Sequence, residues 1–114
     1  MTPPPVRDVT AEEAGQFVEA GALLLDVREA DEWDAGHAPA ATWIPMGDLQ
    51  ARVGELPTDR PIVAICRTGA RSRTVAEALV GVGYDVVNVD GGMRAWAAED
   101  LTVVATDGLP GTVI

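Results

Sequence analysis

Residues 61–73 read PIVAICRTGARSR. PIVAIC, Pro61 to Cys66, is an unbroken apolar run too short for a helix, so it reads as a strand buried on both faces of a parallel sheet. Arg67 to Arg71 then form a loop containing Gly69. SRTVAEALVGVG, from Ser72 onward, reads as a helix with Val75, Leu79 and Val82 on one face. Strand, glycine loop and helix together make the first half of a βαβ unit. In open α/β sheets ligands bind beyond the carboxyl ends of the strands. The chain's only cysteine stands at that place, and Arg67, Arg71 and Arg73 follow it closely.

Outward from this stretch the alternation continues. Val6–Val9 reads as a short edge strand, and Thr10 with Glu13 matches a capping box opening a helix over 11–20 that Gly21 ends. ALLLDV (22–27) is a second buried strand. EADEWDAG (29–36) is a short acidic helix with a solvated face, closed by Gly36. A brief strand is expected over 41–44 and a helix over 47–56, stopped before Pro57. DVVNVD (85–90) is a third buried strand, GGMRAWAAED (91–100) a last helix, and the remainder an extended tail over the surface. Strands and helices in this order predict parallel βαβ units and a doubly wound α/β sheet. One domain is expected over 1–114, with a flexible lead at 1–5 and an extended tail from about 103 to 114.

Composition narrows the function. A formal net charge of −10 argues against nucleic-acid binding, which needs a basic face. No apolar stretch is long enough to span a membrane, and MTPPPVRD lacks the apolar core of a secretory signal. With one cysteine there is neither an internal disulfide framework nor a multi-cysteine metal site. A lone thiol fits a reducing compartment, so a cytoplasmic location is expected.

The loop has a physical reading of its own. Where a strand turns through Gly69 into a helix, successive backbone N–H groups converge on one point, and the helix start adds partial positive charge. Arg67, Arg71 and Arg73 reinforce that potential. A sulfur placed there is favoured as thiolate, so Cys66 is expected to be reactive with a lowered pKa.

Three stretches, LLLDVREADEWDAGHAPAATWIP, IVAICRTGARS and VVNVDGGMRAW, resemble the single-domain rhodaneses over about Val6 to Thr102. That family shares its fold with the cell-cycle tyrosine phosphatases. The Cys-x-x-Gly-x-Arg loop is the most specific part of the match. DAGHAPAA departs from the family's usual pattern at Ala38 and Ala40. The resemblance implies a rhodanese-like, three-layer α/β/α fold with a central, mainly parallel five-stranded sheet.

It also implies sulfur transfer. Four residues separate Cys66 from Arg71, one fewer than in the phosphatase relatives, and the tighter loop suits a persulfide rather than a phosphoryl group. Cys66 would take the outer sulfur of an anionic donor such as thiosulfate and pass it to cyanide or a thiol, including a thiol protein, with no metal or organic cofactor required. Arg67 and Arg71 would orient the donor, with Arg71 also bracing the loop. Thr68 would hydrogen-bond the donor's oxygens or the outer sulfur, and Gly69, Ala70 and Ser72 complete the cradle. Asp26 and Arg28, at the carboxyl end of the 22–27 strand, would tie neighbouring loops by ion pairs. A sulfur-carrier or partner-docking module with little thiosulfate turnover is the alternative. His37 is expected to be structural, Trp33, Trp43 and Trp96 to be packing residues, and Gly91 and Gly92 to let the last helix start beside the loop.

Overall fold

A computed structural model describes residues 5–114. In it Ile62–Ile65 (β4) is the middle of five parallel strands. The others are Arg7–Val9 (β1), Leu23–Asp26 (β2), Thr42–Trp43 (β3) and Val86–Val89 (β5), in the order β1-β5-β4-β2-β3. All four pairings are parallel. The helices are Ala11–Glu19 (α1), Ala30–Ala35 (α2), Leu49–Arg52 (α3), Ala70–Gly81 (α4) and Gly92–Ala98 (α5). The lead expected over 1–5 lies, apart from Pro5, outside the described residues. Among the described residues no helix is long and apolar enough to cross a membrane.

Period-two alternation along β4 divides the core in two. Ile62, Ala64 and Cys66 pack with Leu49 of α3 and Val75, Ala76 and Leu79 of α4. Val63 and Ile65 pack with Ala11 and Ala14 of α1 and Met93 and Trp96 of α5. This is the three-layer architecture expected, with a parallel sheet buried on both faces. The Thr10–Glu13 capping box is present, with bonds of 2.9 and 3.1 Å.

Three expectations need correction. Helix α4 begins at Ala70 rather than Ser72, because Gly69 turns the chain with φ +109° and its carbonyl accepts from Arg73 N–H at 3.1 Å. Ala70 and Arg71 therefore sit in a helical first turn, not in the loop. Val82 does not share the Val75–Leu79 face; α4 ends at Gly81 and Val82 is 71% exposed. Residues 47–56 form no single helix: α3 is one turn between short 3₁₀ segments at Met46–Asp48 and Val53–Glu55, where Gly47 and Gly54 weaken helical propensity. Gly36 closes α2 as expected, in extended backbone with φ 176°. It is small because the tail passes over it: a Cβ there would collide with the Thr112 backbone.

The tail runs over the surface and is held to the body. His37 and Val104 exchange backbone hydrogen bonds of 2.9 Å in both directions, and Thr112 N–H donates to Ala35 C=O at 2.9 Å. Val103 and Val113 pack against the α1–α5 side of the core.

Candidate active site

Cys66 follows β4 directly and is 1% exposed. What approaches its sulfur comes from the turn into α4. Gly69 N–H donates to Sγ at 3.1 Å, and Ser72 Oγ lies 3.3 Å away. Burial pushes the thiol up, but the Ser72 hydroxyl and the backbone N–H groups of Ser72, Gly69 and Thr68 outweigh it and hold Cys66 below the ordinary thiol value. The nest is thus built from hydrogen bonds first and cations second. The rate of alkylation by iodoacetamide, followed against pH, should reach half its plateau at a lower pH than for a free cysteine peptide. An ordinary thiol midpoint would refute the lowered pKa.

The carbonyls of the same loop are tied from behind. Met93 N–H donates to Cys66 C=O at 2.8 Å and Arg94 N–H to Arg67 C=O at 3.1 Å, so the start of α5 backs onto the loop. Gly92 makes this approach possible, as expected for the glycine pair: φ is +55°, and a Cβ would strike Cys66 C=O and stand 2.6 Å from Arg67 O.

The three arginines have separate fates. Arg71 makes two parallel bonds to Glu32 of α2, at 2.7 and 2.8 Å, and so braces the loop against α2. Arg73 points away, to Asp8 at 3.0 Å. Arg67 keeps a buried Nε with no hydrogen-bond partner among the described residues. Thr68 and Ala70 have exposed side chains, while Gly69 and Ser72 are buried. Glu32 escaped the sequence reading because EADEWD looks like a solvated face, yet its side chain is only 13% exposed.

The Arg71 pair, led by its hydrogen bonds, holds Glu32 below the usual carboxylate range. A depressed carboxyl stabilises the fold above its unfolded pKa and loses that contribution as pH falls through the folded value. Glu32→Gln should therefore cost about 1 kcal/mol at neutral pH, allowing for the partial exposure of Arg71, and nothing in strong acid. Urea unfolding of both proteins across this range measures the difference.

Asp26 and Arg28 are not solvent-exposed charges. Both are fully buried, and they pair with each other: Arg28 Nη2 is 2.7 Å from Asp26 Oδ2 and Nε 3.0 Å from Oδ1. Neighbouring segments are tied by neutral carbonyls instead, with Arg28 donating to Gly36 C=O at 2.8 Å and Glu32 C=O at 3.3 Å. His37 is structural as expected, its Nδ1 2.7 Å from Trp33 C=O and its ring stacked on Trp33. Asn88 was missed altogether. This single polar residue in the run VVNV is 2% exposed and sits 2.6 Å from Ser72 Oγ.

The chain is similar in sequence and in fold to known proteins. Residues 10–99 match the family described as the rhodanese-like domain. The putative sulfurtransferase YtwF of Bacillus subtilis is 38% identical over 96 residues, 82% of this chain and 93% of the relative. The thiosulfate sulfurtransferase GlpE of Pseudomonas savastanoi is 34% identical over 93 residues, 81% and 88% of the two chains. The crystal structure of a rhodanese-related protein from Thermoplasma volcanium superposes with a TM-score of 0.81 at 32% identity, covering 86% of this chain and 97% of that one.

Proposed function

The chain belongs to the rhodanese-like family, and from that premise we propose that it is a sulfurtransferase that carries a sulfane sulfur on Cys66. One observation carries the reading: the Cys66 sulfur lies at the focus of the Thr68, Gly69 and Ser72 N–H groups, with only four residues between Cys66 and Arg71. A focus of that size fits one anionic sulfur atom.

The donor is thiosulfate or a related persulfide or thiosulfonate. The Cys66 thiolate attacks the donor's outer sulfur, the donor bond to that sulfur breaks, and its electron pair leaves with the rest of the donor, as sulfite from thiosulfate, sulfinate from a thiosulfonate or thiolate from a persulfide. The terminal sulfur of the resulting persulfide carries the negative charge and takes up the N–H groups, each such bond contributing roughly 1.5–3 kcal/mol. The Arg67 Nε, without a partner among the described residues, supports an anionic ligand here, whereas Arg71, committed to Glu32, acts as the brace. Thr68, whose side chain is exposed, hydrogen-bonds the donor's oxygens. Cyanide or a thiolate then bonds to the outer sulfur, and Cys66 leaves as thiolate. The cytoplasm suits this chemistry, because it keeps a lone thiol reduced.

Incubation with thiosulfate should add the mass of one sulfur to the intact protein, and cyanide should then release thiocyanate over many turnovers. Both should vanish in Cys66→Ala. A persulfide that forms but is discharged only by a protein thiol would favour the carrier reading. Absence of any sulfur adduct, from thiosulfate or from a persulfide donor, would sink both.

A further inference from the structure

A proton count at the Ser72–Asn88 contact gives these two buried residues a role. Asn88 pairs in register with Asp8 of β1 and Ala64 of β4, and its side chain reaches the α4 face. Its Nδ2 lies 3.1 Å from Asp8 Oδ1 and 3.2 Å from the Gly69 carbonyl oxygen. Both of those atoms can only accept. The NH₂ end must therefore face them, which leaves Oδ1 facing Ser72 Oγ at 2.6 Å.

Ser72, 0% exposed, has one hydroxyl proton and three acceptors around it: Asn88 Oδ1, Gly69 O at 3.3 Å and Cys66 Sγ at 3.3 Å. The short contact to Asn88 takes the proton while the sulfur is neutral. A thiol S–H then has a free Oγ lone pair to meet. An anionic Sγ competes for the same proton, because a hydrogen bond to a charged acceptor is about twice as strong as a neutral one.

We propose that Asn88 is a positioning residue for the nucleophile: it holds the Ser72 hydroxyl proton while Sγ is neutral and yields it when Sγ becomes anionic. Its consequence for turnover rests on the sulfur-transfer reading. On loading, the charge moves to the outer sulfur, Sγ becomes a neutral divalent sulfur, and the hydroxyl turns back to Asn88. On discharge, the acceptor bonds to the outer sulfur, the S–S bond breaks, and its electron pair passes to Sγ as the hydroxyl turns to meet it. No proton is gained or lost. The other charges around Sγ are Arg67, Arg71 of α4 with its partner Glu32 of α2, and, beyond Asn88, Asp8 of β1 with Arg73 of α4.

The test needs no sulfur donor. The pH midpoint of iodoacetamide alkylation is measured on the full chain and its variants. Ser72→Ala removes a donor to the thiolate and should raise the midpoint; Asn88→Leu removes the competing acceptor with a side chain of the same branching and should lower it, each by about half to one pH unit. Asn88→Ala, which cannot overpack beside Gly69, should shift it in the same direction as Asn88→Leu. In the Ser72→Ala background, Asn88→Leu should add nothing. Shifts of the same sign for Ser72→Ala and Asn88→Leu, or an undiminished Asn88→Leu shift without Ser72, would overturn the assignment. If the opposed shifts are found but no donor adds sulfur to Cys66, the proposed function fails and the positioning role stands.

Discussion

Gly92→Ala is expected to destabilise the fold by about 3 kcal/mol or more and to abolish sulfur loading with it. Two costs add. An alanine held at φ +55° pays about 1–2 kcal/mol for its left-handed backbone. Its Cβ also meets Cys66 C=O and Arg67 O, which are backbone atoms and cannot rotate away. Relieving such a collision takes a backbone shift of the kind that costs about 1–3 kcal/mol. That shift must break the Met93 and Arg94 hydrogen bonds to the loop or tilt the loop itself, and a tilt moves the Gly69 N–H off the sulfur. Gly21→Ala separates the two costs, since Gly21 has φ +109° but nothing within 4 Å of its would-be Cβ. Gly21→Ala should lose only the backbone part and keep full loading. Thermal unfolding should show a drop of about 10 °C for Gly92→Ala and a third of that for Gly21→Ala. Equal drops would show that the collision is absorbed at no cost.

What could be read from the chain without the structure follows from where each interaction is encoded. β4 and the nest are local: an apolar run, a cysteine and a glycine three residues on suffice to place an N–H cradle, and Gly69 N–H does meet Sγ. Gly92 against the loop was legible for a similar reason, since a glycine pair just after a buried strand leaves room for a close approach. Glu32 and Asn88 were not legible because their partners are set by topology. Asn88 reaches Ser72 only because β5 is inserted between β1 and β4, a sheet order that no run of residues states. Glu32 reads as one acid among many until α2 is seen to lie against the first turn of α4. The early start of α4 is local instead: Arg71 looks like a loop cation until Gly69 turns the chain and Arg73 closes the first turn onto it.

Arg28→Met should cost about 3–5 kcal/mol, the largest loss expected of any single side chain away from the thiol. Arg28 is fully buried, and nearly all of its donors are used on Asp26, Gly36 C=O and Glu32 C=O. Methionine fills much of the space but leaves the Asp26 carboxylate buried without its countercharge, which is where most of the cost arises. The double variant Asp26→Leu/Arg28→Met removes both charges, so it should recover most of the loss and fall well short of the sum of the two single changes. Recovery should be incomplete, because the Gly36 and Glu32 carbonyls still lose a donor. The function should follow a different course from stability. Arg28 holds the carbonyls of α2, and α2 carries Glu32, whose carboxylate braces Arg71 beside the thiol. The double variant should therefore fold with near-native stability yet load sulfur more slowly than the parent, since α2 has lost its anchor while the nest is intact. Urea midpoints and the rate of sulfur addition, measured on the two singles and the double, separate these effects. A double variant with both stability and loading restored would show that the buried pair stabilises the fold without aligning the site.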